Sequence, residues 1–490
     1  MYLGLDIGTS SVKALLIDKG FVPIATATAP LSVERPQDGA SEQDPRAWCE
    51  AIDKLMQEIG AISPKDLQQI VSIGLSGQMH GMVALDDTGN ILRPAILWND
   101  VRCGEQAEAL DRQFPQFRSI GGNAVMAGFT APKAVWCAAH EPEIFAKIDK
   151  ILLPKDYVRY WLSGEMISDL SDSSGTLWLD VGKRDYSTDL LSACGLRRDQ
   201  VPELAEGSAP AGRLKEALAH KWGIAGRPVI AGAGDNAAAA CGLGVVSPGD
   251  GFVSLGTSGV VFMVTDAFAP AAQSGAHAFC HALPYLWHQM GVILSATDSL
   301  NWLSDITARP ISELAQLAKT VESGAQNCYF HPYLSGERTP HNDANAKGGF
   351  IGLGRTHGVA EMAYAVLEGV AFALGDCVDV LAQAGSAPER LIATGGGAQN
   401  TQWLQMIADI TNCAIILPAD GDYGAALGAA RLGAIASGTA GNEILTKPEH
   451  KAIFTPNKAR HAHLHERRLM WQKLYKGIKA VQDYPLKAAR

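Results

Sequence analysis

The chain has 490 residues, which is too long for one hydrophobic core and predicts two large domains. A hydrophobic content of 47% with 19% charged residues is typical of a soluble globular protein. The net charge of −10 argues against nucleic acid or an anionic membrane as the main partner.

The sequence shows no pattern typical of a signal peptide, a membrane span, a disulfide framework or a zinc site. The N-terminus MYLGLDIGTS lacks the regions of a signal peptide, and no apolar run approaches the roughly 18 to 20 residues of a membrane span. We therefore expect a cytoplasmic protein. The nine cysteines are scattered without a C-x-x-C pair, so we expect reduced thiols that mostly fill the core, with no disulfide framework or zinc site.

The first predicted element is a β-hairpin over residues 6–18, DIGTSSVKALLID, with Gly-Thr-Ser at its tip. The pattern GTS-x-V recurs in residues 254–266, SLGTSGVVFMVTD. Either copy alone could be an ordinary turn, but one copy in each half predicts two related domains whose phosphate-binding tips face each other across a cleft. Glycine lets a ligand approach the backbone, and N–H and hydroxyl groups can donate to phosphate. The residues predicted for this role are Gly8, Thr9, Ser10, Lys13, Gly256, Thr257 and Ser258.

Asp6 ends the first predicted strand, immediately before the first tip. A carboxylate beside phosphates repels them unless a cation lies between, so we predict that Asp6 holds hydrated Mg²⁺. An acidic turn cap is the alternative. Ser254 occupies the equivalent position in the second copy, so only the first half is expected to hold the metal.

A capped amphipathic helix is predicted over residues 41–60, and two apolar strands that end in polar residues follow in 70–90 and 91–103. Open α/β sheets usually place ligand groups at such strand ends. Hydrogen-bonding groups interleaved with apolar surface suit a polyhydroxylated ligand. A lone His80 would more often be a core histidine, but the recurrence at two strand ends favours a binding site. The predicted contacts are Gln78, Met79, His80, Trp98, Asn99, Asp100 and Arg102.

Residues 227–244 predict a strand, then Gly-Asp-Asn, then an alanine-rich helix. A carboxylate at the strand end, Asp235, is a candidate general base for a hydroxyl group, and a helix N-cap explains it equally well. Residues 420–433 repeat the pattern with Asp422, which we interpret as a helix cap. The small residues of both helices would let them pack closely at a hinge, although plain core helices are the alternative.

Three consecutive glycines, Gly395, Gly396 and Gly397, lie between an apolar run and a helix that begins near Asn400. Such a turn lets a base or ribose approach the backbone, but alone it is equally a plain tight turn. Neither the G-x-G-x-x-G nor the Walker pattern fits. The histidines at 277, 281 and 288 lack carboxylate or cysteine partners at ligand spacing, which favours a structural role.

Together, DIGTSSVK, LGTSG, GDNAAAA and GGGAQN resemble the phosphate, interdomain-helix and adenosine motifs of the actin, hexokinase and heat-shock ATPase fold. Within that fold the chain resembles the FGGY carbohydrate kinases, on GFTAPKAVW (128–136) and GGFIGLGRTHGVAEMAYAVLEG (348–369). The resemblance implies an α/β fold of two duplicated, ribonuclease H-like domains with a cleft between them. We assign residues 1–245 to the sugar-binding domain, 246–440 to the nucleotide-binding domain and 441–490 to a helical extension packed on the second domain.

The segments SGQMHG, ILWNDVRC, LLPKDY and YLSGERTPHND are most similar to the branch of the family that uses D-xylulose. The resemblance implies transfer of a phosphoryl group from ATP, with Mg²⁺, to D-xylulose in pentose catabolism. It implies Asp235 as base, Asp6 at the metal, and sugar contacts from Met79, His80, Asp235 and Asn236. It also suggests a homodimer. The alternatives are a kinase for ribulose, glycerol or gluconate and, from another class, an ATP-gated conformational machine of the heat-shock or actin type.

Overall fold

The computed structural model describes residues 1–321, 324–419 and 424–482, and Asp422 lies outside them. The strands of the first half are β1 (Tyr2–Ile7), β2 (Ser11–Ile17), β3 (Pro23–Pro30), β4 (Glu42–Gln43), β5 (Ser72–Gly77), β6 (Val83–Leu85), β7 (Ala95–Ile96), β8 (Lys150–Leu152), β9 (Ile167–Asp169), β10 (Leu179–Asp180), β11 (Asp185–Tyr186), β12 (Glu203–Ala205), β13 (Pro210–Arg213), β14 (Pro228–Ile230) and β15 (Ala233–Gly234). Its helices are α1 (Pro45–Ile62), α2 (Pro64–Leu67), α3 (Gly104–Gln113), α4 (Gln116–Ser119), α5 (Thr130–His140), α6 (Pro142–Phe145), α7 (Pro154–Ser163), α8 (Leu170–Ser174), α9 (Thr188–Ala193), α10 (Glu216–Trp222) and α11 (Asp235–Gly242).

The strands of the second half are β16 (Gly251–Leu255), β17 (Gly259–Thr265), β18 (His277–Cys280), β19 (Trp287–Ile293), β20 (Tyr329–His331), β21 (Gly349–Ile351), β22 (Arg390–Thr394), β23 (Ala414–Pro418) and β24 (His450–Phe454). Its helices are α12 (Thr297–Thr307), α13 (Ile311–Lys319), α14 (Val359–Gln383), α15 (Thr401–Thr411), α16 (Gly424–Ala436) and α17 (Lys458–Gln482).

Each half is built on one large sheet with the same central pattern. The first sheet has the order β13-β14-β5-β1-β2-β3, with β15 also paired to β5, and the second has the order β18-β19-β17-β16-β22-β23-β24. In each sheet a hairpin, β1-β2 or β16-β17, lies beside a parallel strand, β5 or β22. Both hairpins predicted from the Gly-Thr-Ser repeats are therefore confirmed.

Helix α1 covers the first sheet, as the apolar spacing of residues 41–60 predicts. Asp44 caps it by accepting a hydrogen bond from the Arg46 backbone N–H. Its buried residues recur every three or four positions and pack into the core under β1, β2 and β3. In the second domain α14 is buried along most of its length because nearly all of residues 363–381 are apolar or small.

Helices α11 and α16 pack against each other where the halves meet, which agrees with the close approach predicted from their small residues. A β-carbon on Gly428 would lie 1.8 Å from the backbone oxygen of Ala238, and one on Gly242 would lie 2.1 Å from that of Gly424. Helix α16 also crosses the first sheet, where a β-carbon on Gly74 would lie 1.8 Å from the Ala429 oxygen. The glycines thus permit backbone contact between domains.

We expect Gly428→Ala to lower the free energy of unfolding by about 1–3 kcal/mol, because the added methyl group overlaps the backbone of α11. Urea denaturation measures the change. Gly477→Ala is the matched control, since this helical glycine has no atom within 4 Å of its β-carbon position, and it should stabilise by about 0.5–1 kcal/mol. An unchanged unfolding midpoint for Gly428→Ala would contradict close helix packing.

The C-terminal extension is not wholly helical. Strand β24 pairs antiparallel with β23 and extends the second sheet before α17 begins. The helix then packs through Leu464, Trp471 and Tyr475, and the Trp471 indole donates to the Phe330 backbone oxygen at 2.8 Å.

All nine cysteines are free and buried, so the prediction that they fill the core is confirmed. Over the described ranges, the helices are too short or too polar to span a membrane.

Candidate active site

The strand register brings Asp6 and Asp235 to the same edge of the first sheet. Asp6 lies opposite Ser76 of β5, and Ser76 lies opposite Ala233 of β15. The Ser76 hydroxyl donates to Asp6 Oδ1 at 2.9 Å. β1 and β15 both pair with β5, so these two strands lie about two strand spacings apart, roughly 10 Å, and Asp235 directly follows β15.

Asp235 is the first residue of α11, and Gly234 occupies the N-cap position. The alternative interpretation of Asp235 as the N-cap is therefore wrong. Its Oδ1 accepts hydrogen bonds from the backbone N–H and the side-chain amide of Asn236, at 2.7 and 2.9 Å. Burial, with a contribution from the Asp6 charge, raises the pKa of Asp235 to about 7. This carboxyl group can accept a proton near neutral pH.

Met79 packs against the turn before Asp235, and His80 follows it in the chain. A β-carbon on Gly234 would lie 2.9 Å from the Met79 sulfur, so the thioether packs directly on the turn before Asp235. His80 has a left-handed φ of 69°, which is rare for a residue with a side chain and often marks a functional position. Its Nδ1 lies 2.9 Å from the Gly175 oxygen, and burial lowers its pKa well below the usual range.

The unusual backbone of His80 is held by α5, a feature that sequence reasoning missed. Lys133 Nζ donates to the His80 backbone oxygen at 2.7 Å, and the Thr130 hydroxyl donates to the same atom at 3.1 Å. Burial lowers the pKa of Lys133 to about 7. Both residues lie in the GFTAPK segment, which carried the family resemblance without indicating what it contacts.

Thr9 links the first phosphate tip to the predicted sugar contacts. Its hydroxyl donates to Gln78 Oε1 at 2.9 Å and accepts from the Trp98 indole at 2.9 Å. Gln43, which the sequence did not indicate, donates from Nε2 to the Thr9 backbone oxygen at 2.7 Å. Trp98 and Gln78 are thus fixed by the tip itself, and the Thr9 hydroxyl proton is committed to Gln78. Lys13 lies on β2 opposite Asp6.

Asp100 and Arg102 belong to a buried ion-pair network. Arg102 pairs with Asp100 and with Glu42, both at 2.7 Å, and Glu42 also pairs with Arg93. Asp100 Oδ2 accepts from the Ser41 backbone N–H at 2.7 Å. These internal partners favour a supporting role over the predicted contact with a ligand, because the network fixes the segment that carries Trp98.

Asn99 differs from its neighbours. Its Oδ1 is buried, and across the described residues it has no hydrogen-bond partner. A buried acceptor without a partner is costly, and a ligand hydroxyl would satisfy it.

The second predicted phosphate tip and the glycine-rich turn are neighbours. Gly395 has a φ of 84°, and its β-carbon would lie 3.1 Å from the Gly256 backbone nitrogen. Gly396 faces open space, with no atom within 4 Å of its β-carbon position. Gly397 packs on Leu255 and Trp403. The two predicted nucleotide segments therefore form one surface at the carboxyl edge of the second sheet.

Helix N-termini support both segments. The backbone N–H and hydroxyl of Thr297, at the start of α12, donate to the Gly256 oxygen at 3.0 and 2.8 Å. The Ala296 N–H donates to the Thr257 oxygen at 2.7 Å. Asn400 caps α15 by accepting from the Trp403 N–H, so its side-chain oxygen has a structural partner.

A cavity of about 790 Å³ borders the glycine-rich turn. Its walls include Thr394, Gly395, Ala398 and Gln399, together with the start of α16, the turn between β2 and β3, and most of residues 443–449. This volume falls in the range of small-molecule sites.

The three clustered histidines are buried and pack against aromatic or amide side chains. His277 Nδ1 contacts the Asn123 side-chain oxygen at 2.9 Å, and His288 stacks on Phe262 with ring centroids 4.4 Å apart. His281 also lies against Phe262. The described part of the chain contains no group of three or more metal-ligating side chains.

Residues 1–242 match the N-terminal domain, and residues 251–437 the C-terminal domain, of the FGGY family of carbohydrate kinases. The chain belongs to this family. It is similar to the xylulose kinase of Escherichia coli (strain K12), with 46% identity over 481 residues that cover 98% of this chain and 99% of the relative.

Two solved structures extend the comparison. A Brucella ovis protein described as a "xyloylose kinase" has 49% identity and a TM-score of 0.94, with 98% of this chain and 99% of that chain covered. A gluconate kinase from Lactobacillus acidophilus has 25% identity and a TM-score of 0.89, with 98% of each chain covered. The predicted two-domain α/β fold and carbohydrate kinase class are confirmed. These matches favour the kinase over the alternative of an ATP-gated machine of the heat-shock or actin type.

Proposed function

We propose that the protein transfers the γ-phosphoryl group of ATP to the terminal hydroxyl of D-xylulose, giving ADP and D-xylulose 5-phosphate. Relatives named as xylulose kinases that match nearly the whole chain support this substrate. The observation that carries the proposal is Asp235, whose pKa of about 7 suits a base and which lies beside Met79 and on the same sheet edge as Asp6.

Asp235 is the base in this proposal. Among the described residues, both of its hydrogen bonds end on Oδ1, which leaves Oδ2 to accept the proton of the sugar hydroxyl. That hydroxyl oxygen attacks the γ-phosphorus while the bond to the β–γ bridging oxygen breaks. The Gly8 N–H donates to the Ser11 oxygen within the hairpin, so the other backbone N–H groups of the two Gly-Thr-Ser tips hold the phosphates in this proposal, and the Gly395–Gly397 turn receives the base or ribose.

The residues present fit a divalent cation. Two carboxylates, Asp6 and Asp235, lie near enough for the Asp6 charge to raise the pKa of Asp235. Asp6 would hold Mg²⁺ through water, and the bound ion would neutralise charge on the phosphate oxygens.

The test is ADP release with Mg·ATP and a panel of D-xylulose, L-ribulose, L-xylulose, glycerol, D-gluconate or no sugar. We expect D-xylulose to give the highest kcat/KM. A higher value for another polyol would keep the kinase class and replace the substrate. ADP release at the same rate without sugar would overturn the proposal.

We expect kcat/KM for the sugar to fall as the pH decreases below about 7, because protonated Asp235 cannot accept the hydroxyl proton. The decline should approach tenfold for each pH unit in the acid limb. Initial rates from about pH 5.5 to 8.5, with a check that the enzyme regains full activity on return to pH 8, measure it. A flat acid limb would contradict Asp235 as the base.

A further inference from the structure

We propose that Arg338, from the second domain, binds the ketose end of the sugar and favours ketoses over the corresponding alditols. The inference rests on the proposed function, since it assumes that Asp235 receives the proton from the opposite end of the same molecule. Arg338 lies in the SGERTPHND segment, about 100 residues after the Asp235 helix.

The backbone on both sides of Arg338 is firmly anchored. The Arg338 N–H donates to Glu337 Oε1 at 2.7 Å, and the Glu337 N–H donates to the Asp343 oxygen at 2.9 Å. On the other side, Thr339 exchanges bonds with Val292 of β19, at 3.0 Å in each direction. The side chain therefore starts from a fixed point of the second domain.

From that point the guanidinium reaches the first domain. Its central carbon lies 5.7 Å from the centroid of the Trp98 ring, which suits a cation–π contact. A β-carbon on Gly128 would lie 2.9 Å from Arg338 Nη2 and 2.5 Å from the Trp98 oxygen, so the absence of a side chain there makes room for both groups. The Arg338 charge also helps to lower the pKa of His80.

These contacts define the order in which the residues follow one another from Asp235 toward Arg338. Asp235 adjoins Met79, Met79 precedes His80, and His80 lies near Arg338, whose guanidinium lies over the Trp98 ring. A pentulose whose terminal hydroxyl meets Asp235 would extend past Met79 and His80 toward Arg338.

Among the described residues no acidic side chain pairs directly with the guanidinium, and the neighbouring Glu337 acts on it only through its charge. Within the described residues its side chain makes no ion pair and no hydrogen bond. The neighbouring carboxylate, Glu337, accepts instead from the backbone N–H groups of Leu294 and Arg338. Burial lowers the pKa of Arg338 to about 10, so it stays charged at neutral pH.

A half-buried cation without an acceptor is costly, and a ligand oxygen can remove part of that cost. The carbonyl oxygen of an open-chain ketose is an acceptor with two lone pairs in one plane, which matches the planar donors of guanidinium. In an alditol this planar carbonyl group is replaced by a tetrahedral carbon that carries a hydroxyl group. The geometry thus favours D-xylulose over xylitol.

The experiment compares D-xylulose with xylitol for wild type, Arg338→Met and Arg338→Lys. We expect Arg338→Met to raise KM for D-xylulose at least about 10-fold and to reduce the preference for D-xylulose over xylitol, while KM for Mg·ATP stays within about twofold. Arg338→Lys keeps the charge without the planar donors and should fall between. Arg309→Met, which removes an exposed arginine of the same domain, is the matched control.

An unchanged preference in Arg338→Met would overturn the proposal. The wild-type protein provides a test that does not depend on the folding of variants, because D-xylulose should raise its Tm more than the same concentration of xylitol. Equal shifts would also overturn the proposal. The sugar panel separately decides the proposed function, since a substrate without a ketone would disprove D-xylulose whatever the Arg338 variants do.

Discussion

Replacing Asp235 with asparagine should lower kcat for sugar phosphorylation by about 10²- to 10⁴-fold, the usual contribution of a general base. The substitution keeps the shape of the side chain and an oxygen that can accept from Asn236, but an amide cannot take the hydroxyl proton. ADP release at saturating sugar and Mg·ATP measures the loss.

Asp185→Asn is the matched control for this prediction. Asp185 is also an aspartate whose Oδ1 accepts the N–H of the next residue, Tyr186, at 2.7 Å, but it lies on the exposed strand β11. Its replacement should leave kcat within about twofold. If Asp235→Asn kept wild-type kcat while binding both substrates, another group would have to be the base.

The local pattern of the sequence was enough to find the two carboxylates. Asp6 lies near the end of apolar β1 and Asp235 directly follows β15, and both strands pair parallel with β5, so their carboxyl ends share one edge. The Gly-Thr-Ser repeat likewise predicted both hairpins, because the small residues at a hairpin tip are a local requirement.

The local sequence pattern did not predict which partners the polar side chains contact. Asp100 and Arg102 have the composition of a ligand-binding cluster, but Glu42, some 60 residues earlier, joins them in a buried network. The sequence also does not show that His80 adopts a left-handed backbone held by Lys133. Arg338 reaches the Trp98 ring from the other domain. Each of these contacts depends on tertiary packing between distant segments.

A buried ionic cluster lies behind the strand that leads to Asp235. Lys155 Nζ lies 2.5 Å from Asp156 Oδ1, 2.8 Å from Asp169 Oδ1 and 3.6 Å from Asp172 Oδ2, and all four side chains are fully buried. Burial alone would lower the pKa of Lys155, but the three aspartates overcome it and hold the pKa above its usual value. The Ser171 hydroxyl donates to Asp169 and accepts from the Gly234 N–H, which connects the cluster to the residue before Asp235.

We expect Lys155→Met to lower the free energy of unfolding by about 3–5 kcal/mol, because buried Asp169 and Asp172 lose their cation, whereas Asp156 keeps its pair with Arg159. Urea denaturation at pH 8 measures the loss. Lys183→Met removes a single exposed pair with Asp180 at 2.8 Å and should cost less than about 1 kcal/mol.

The pH dependence of the stability of Lys155→Met distinguishes two causes of its destabilisation, the loss of the Lys155 charge and the loss of its packing. Without Lys155 the buried aspartates should have raised pKa values in the folded state, since burial already raises the pKa of Asp172 well above its usual range. The folded variant then binds protons at a higher pH than its unfolded chain, so its deficit relative to wild type should shrink as the pH falls from 8 toward 5. A deficit that is constant over this range would mean that Lys155 stabilises the protein through packing of its aliphatic chain, and the ionic account of the cluster would be wrong.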